Sequence, residues 1–116
     1  MSLADLAIEL CRKGTPALDA AACADLLKQV PQWSVVNVNG IAQLQRHFDF
    51  HNFAEALAFT NAVGALADAA DHHPAITTEW GKVQVCWWTH TVRGLHRNDF
   101  VMAARCDRLY LTNADR

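Results

Sequence analysis

The sequence predicts an α+β domain, a four-stranded antiparallel sheet with about three helices on one face. Three observations predict it. Asn39-Gly40 sits between two alternating stretches, the strongest short-range signal for a tight hairpin. A second pair of alternating stretches flanks Gly81. Between the hairpins, Phe53, Ala56, Leu57, Phe59, Val63, Leu66 and Ala67 recur at helical spacing. Short hairpins impose antiparallel pairing, and the helices then collect on one face.

The elements follow in order. Residues 1–17 read as an N-terminal arm and 18–116 as a single domain. In the arm, Leu3, Leu6, Ala7 and Leu10 offer a short helical stripe, which Gly14 and Pro16 stop. A helix is predicted over 18–30, with Asp19 as its cap and Pro31 as its end. Strands follow at 34–37 and 41–50. In the second, Ala42, Leu44, Phe48 and Phe50 share one face, while Gln43, Gln45, His47 and Asp49 share the other. Asn52, with Glu55 three residues on, caps the main helix, which ends near Asp71 or His72 because Pro74 extends the residue before it. Strands at 76–80 and 82–90 make the second hairpin, the latter placing Val83, Val85, Trp87 and Thr89 opposite Gln84, Cys86, Trp88 and His90. A last helix starts around Asn98, with Met102, Ala103, Cys106, Leu109 and Tyr110 as its stripe.

Composition narrows the function classes. The chain has 116 residues, 52% of them hydrophobic, which is one domain with enough apolar material for a core. A net charge of −2 argues against a general nucleic-acid binder. Asp5 and Glu9 interrupt the apolar residues at the N-terminus, which lacks a basic start, so no signal peptide is expected. No apolar run approaches the roughly 20 residues of a membrane span. Cys11, Cys23, Cys86 and Cys106 form no CxxC pair. The expectation is a cytoplasmic protein with reduced thiols and no bound metal.

The densest chemistry is Asp68-Ala69-Ala70-Asp71-His72-His73-Pro74. If the helix persists to His72, Asp68 lies on the same face four residues back, where its carboxylate would fix the imidazole tautomer. His90 falls at a strand end, and Asp99 in the first turn of the last helix. Each has a plain structural alternative, since a histidine suits a helix C-terminus and an acid suits an N-terminus. His47, His51 and His96 show no partner in the sequence and are read as structural.

Taken together, these residues resemble one family, the pterin-4a-carbinolamine dehydratases. The resemblance rests on Asp68, His72-His73-Pro74, Trp80, Thr89-His90, Gly94-Leu95 and Asp99, with ten residues from Trp80 to His90 and nine from His90 to Asp99. It spans about residues 18–112 and includes Trp33. Three departures stand out. His96 occupies the position where the family usually has Ser or Thr, Trp88 stands where a smaller residue often precedes Thr-His, and only Cys11 remains of a paired-cysteine N-terminal segment.

The resemblance implies removal of water from a 4a-hydroxytetrahydropterin, with no cofactor. It implies His72 and His90 as proton-transfer groups, His73 as a third catalytic histidine that positions the pterin, and Asp68, Asp71, Thr89 and Asp99 as substrate-binding or supporting groups. Asp99 would support His90 or close the pocket. Which histidine is acid and which is base stays open. The resemblance also implies a homodimer or homotetramer, and the long, sparsely charged strand over 41–50 is a candidate for pairing with a second copy. Two rivals remain. One is a non-enzymatic partner-binding module of the same fold. The other is a metal-dependent phosphoesterase, suggested by Asp71-His72-His73 but short of ligands.

Overall fold

The computed structural model describes residues 2–9 and 14–114. Its regular elements are helix α1 (Ala20–Leu27), strands β1 (Ser34–Val38) and β2 (Ile41–Asp49), helix α2 (Phe53–Ala70), strands β3 (Ala75–Glu79) and β4 (Lys82–Trp87), and helix α3 (Arg97–Ala114). The α+β architecture is the one the alternation predicts.

Local chemistry accounts for the boundaries. Asp19 caps α1 by accepting from the Ala22 amide at 2.8 Å. Asn39 and Gly40 both adopt positive φ, at 51° and 83°, as a tight turn matched to strand twist requires. Asn52 accepts from the Glu55 amide, and the Glu55 carboxylate reaches back to the His51 amide. The predicted helix over 18–30 is shorter, because after Leu27 the hydrogen bonds tighten to a three-residue spacing, Gln29 to Leu26 and Val30 to Leu27, in a turn that buries Val30. The strand predicted over 82–90 ends at Trp87, and His90 opens a short 3₁₀ turn, His90–Val92.

All neighbouring strands pair antiparallel, in the order β1-β2-β4-β3. This order corrects one expectation. The strand over 41–50 is not an edge, because β4 returns beside it and the second hairpin crosses over to dock on its free side. The edges are β1 and β3, so β2 has no backbone left for a second copy.

Opposed residues in antiparallel register share a face, so Leu44, Arg46 and Phe48 line up with Trp87, Val85 and Val83. Phe59, Val63 and Ala67 of α2 and Phe100, Val101, Met102, Ala103 and Cys106 of α3 join this buried set. Arg46 is the unexpected member. It donates to Asp107 at 2.6 Å, and its guanidinium lies 4.4 Å from the Phe48 ring centre. Trp33 donates to the same Asp107 oxygen at 2.8 Å. Burial pushes the Asp107 carboxyl up, against the pull of Trp33 and Arg46.

The arm is not the helical stripe its leucines suggest. Leu3–Asp5 is a single 3₁₀ turn, and Leu6 continues in extended conformation. Leu3 and Ala4 are buried, and Arg105 of α3 donates to the Ala4 and Leu6 carbonyls. Leu10 and Cys11 lie outside the described residues. Cys23, Cys86 and Cys106 are free thiols. No helix among the described residues is long and apolar enough to cross a membrane.

Candidate active site

Three chain segments meet at one end of the sheet: the C-terminus of α2, the exit from β4 and the N-terminus of α3. The α2 terminus sets the histidines. Asp71 adopts the left-handed conformation, with φ 50° and ψ 43°, which Asp tolerates better than most residues. Its amide bonds to the Asp68 carbonyl, and the His72 amide reaches back to the Ala67 carbonyl. That is the Schellman pattern, and it turns the chain off the helix axis.

This turn overturns the expected Asp68–His72 pair, because the helical i, i+4 relation ends before His72. Asp68 meets His73 instead, with Nε2 to Oδ1 at 2.9 Å, in an exposed pair. His72 swings inward. Its Nε2 lies 2.7 Å from Asp99 Oδ1, and its ring stacks on Trp87 at 5.7 Å with an 8° tilt. Asp99 therefore supports His72 rather than His90.

Asp99 is fully buried, and donors converge on it. Oδ1 takes His72. Oδ2 accepts the Thr89 hydroxyl at 2.8 Å and the His96 amide at 2.9 Å. A carboxylate can only accept, so His72 carries its proton on Nε2, and Nδ1 stays available to take or give one. Thr89, 3% exposed, spends its hydroxyl on this carboxylate. Asp71 faces solvent and makes its contribution through its backbone.

His96, read from sequence as partnerless, caps α3. Its Nδ1 accepts from the Asn98 amide at 3.0 Å while its own amide bonds to Asp99. The pair works as a capping box, with a histidine in place of Ser or Thr. Alongside, Thr89 and Gly94 pair backbone to backbone and close the loop around His90. A Cβ on Gly94 would come within 3.0 Å of the Ala17 side chain, so this close approach suits glycine.

His90 is exposed and hydrogen-bonded to neither His72, His73 nor Asp99 among the described residues. Its ring instead lies 4.8 Å from that of Trp88. Trp80, at the tip of the β3–β4 hairpin, is 73% exposed. Asp71, His72 and His73 diverge to solvent, Asp99 and Asp68 respectively, which does not suit a shared metal ion. Among the described residues no group of three His, Cys, Asp or Glu side chains could hold one. A cavity of about 250 Å³ lies elsewhere, between the arm and α3, and includes Leu3, Asp107, Arg108 and Leu111.

Comparison with known proteins finds relatives of one family. A protein from Syntrophotalea carbinolica is 50% identical over 107 residues, covering 92% of this chain and 96% of its own. One from Chlorobium luteolum is 53% identical over 100 residues, covering 86% and 88%. Both are named, provisionally, pterin-4-alpha-carbinolamine dehydratases. The crystal structure of a transcriptional coactivator/pterin dehydratase from Brucella melitensis matches with TM-score 0.73 and 26% identity, over 81% of this chain and 98% of that one. A pterin dehydratase-like protein identified as a RuBisCO assembly factor in the alpha-carboxysome matches with TM-score 0.55 and 26% identity, over 66% and 89%. The family model for pterin 4 alpha carbinolamine dehydratase covers residues 16–109, and the chain belongs to that family of hydro-lyases.

Proposed function

We propose that this chain removes water from a 4a-hydroxytetrahydropterin by histidine general acid–base catalysis, giving the quinonoid dihydropterin. One observation carries the reading: the buried Asp99 carboxylate lies 2.7 Å from His72 Nε2, which favours the tautomer protonated there, and no hydrogen bond to Nδ1 is made among the described residues. In the reaction the C4a–oxygen bond breaks, the leaving oxygen gains a proton and becomes water, and a ring nitrogen loses a proton. No hydride moves and no phosphate is cleaved. Histidine, with an ordinary pKa of about 6.5, suits both transfers.

His72 and His90 are the proposed proton-transfer groups, and His73, braced by Asp68, positions the pterin. Asp68 and Asp71 face solvent and are available to pterin NH groups. Thr89 and Asp99 serve through His72. The product would return a pterin cofactor to aromatic amino acid hydroxylases, in the cytoplasm. The test is the dehydration rate of chemically generated 4a-hydroxytetrahydropterin with and without the protein, before and after exhaustive chelation. Acceleration that survives chelation is expected. No acceleration, or acceleration restored only by one metal, would reject the reading.

A second reading is a partner-binding module, favoured by the coactivator named among its structural neighbours. A folded protein with no dehydration activity would support it. The chain is also proposed to form a dimer or tetramer. The free edge strand β1 carries no formal charge and exposes Val35 and Val38. A monomer mass by sedimentation at micromolar concentration would reject the assembly.

A further inference from the structure

Two of the three site histidines are held by carboxylates, His72 by Asp99 and His73 by Asp68. His90 is held by none. Its backbone is well fixed, since the Arg93 amide closes the turn on its carbonyl and Thr89 is pinned to Gly94 and Asp99. Its imidazole, exposed at the loop surface, has no hydrogen-bond partner among the described residues. A ring in that condition samples several rotamers, and each would have to be given up as the reaction proceeds.

Trp88 supplies what the carboxylates supply elsewhere. Thr89 is extended, with φ −106° and ψ 113°, and its side chain turns inward to Asp99. Side chains two apart along an extended segment point the same way, so Trp88 and His90 emerge together. Their ring centres are 4.8 Å apart, with the planes tilted by 48°. That spacing falls in the range of interacting aromatic pairs. Asp99 is spent on His72, Thr89 and His96, and Arg93 reaches His90 through its backbone.

We propose that Trp88 is a positioning residue for His90, its indole holding the imidazole in the orientation used for proton transfer. The proposal rests on the reading of His90 as a proton-transfer group. It also gives Trp88 a contact within its own chain.

The test is a double-mutant cycle on the full chain. Trp88→Ala should lower kcat by about three- to tenfold, the scale of an aromatic pair, with KM moving less than about twofold. Trp88→Phe should retain most of the rate, and Trp88→Leu, which keeps bulk without a ring, should not. In a His90→Ala background, Trp88→Ala should cost nothing further. In a His72→Ala background its cost should persist. Trp88→Ala and His90→Ala effects that multiply, or a Trp88→Leu rate equal to wild type, would overturn the proposal. The contact has its own readout by NMR. The His90 ring-proton signals should carry an upfield ring-current shift in the wild type that disappears in Trp88→Leu. An active wild type without that shift overturns the Trp88 role alone. A wild type that keeps the shift but shows no dehydration instead rejects the reading of the site, and the role of Trp88 with it.

Discussion

His72 and Asp99 stand 27 positions apart in sequence and are joined by a 2.7 Å bond, with the carboxylate wholly buried and the imidazole nearly so. The same carboxylate accepts from Thr89 and from the His96 amide. One buried acid thus links the end of α2, the exit from β4 and the start of α3.

Asp99→Asn tests that link. An amide can present an oxygen to one side only, so either orientation sets its NH2 against His72 or against Thr89 and the His96 amide. The mismatch should cost about 1–3 kcal/mol of stability. Turnover should fall by at least about tenfold, because the tautomer of His72 is no longer enforced. Denaturant unfolding and the dehydration assay read the two effects. Wild-type turnover in a folded Asp99→Asn protein would remove the carboxylate from the mechanism.

His72→Ala and His90→Ala should each lower turnover by at least about tenfold while the fold persists. His73→Ala should differ. Its pair with Asp68 is exposed and worth less than about 1 kcal/mol to stability. Its effect should fall on KM more than on kcat, as expected of a group that positions substrate. A kcat loss in His73→Ala as large as in His72→Ala would make it a proton-transfer group instead.

His96→Ala should remove the α3 cap and cost about 1 kcal/mol, whereas His96→Ser should recover most of it. Thermal unfolding of both variants checks this. Equal stabilities for the two would show that the Nδ1 contact to Asn98 contributes nothing.

Cys106 gives a pH dependence. Burial pushes its thiol from 9.0 up to about 12, with Trp87 opposing only in part. Between those values the unfolded state has released its proton and the folded state has not. Stability therefore falls as pH rises through this window, by up to about 1.4 kcal/mol per pH unit for one proton. Below pH 9 the group makes no difference to the slope. Unfolding free energies from pH 8 to 11 should drop more steeply for wild type than for Cys106→Ala. Parallel curves would contradict the assignment.

Much of this protein was legible in its sequence because the signals are local. Asn39-Gly40, the alternation of β2 and β4, Asp19 and Asn52 as caps, and the apolar stripe of α2 depend on neighbours within a few residues. The candidate site residues were legible through their spacing and their resemblance to one family. Their partners were not. The sequence pairs Asp68 with His72 by helical periodicity. A left-handed Asp71 breaks that periodicity one residue before His72, and the sequence left the helix end open between those two positions. Asp99 reaches His72, and His96 finds its cap role, only once α3 has docked at the sheet end. Strand order belongs to the same class. Two hairpins can assemble with either strand of each at the centre, and burial of the Leu44, Phe48, Val85 and Trp87 face under α2 and α3 selects β2 and β4. Periodicity reports which face of an element is buried. Which elements meet across that buried face is set by packing among residues far apart in the chain, and this decided how the histidines are held.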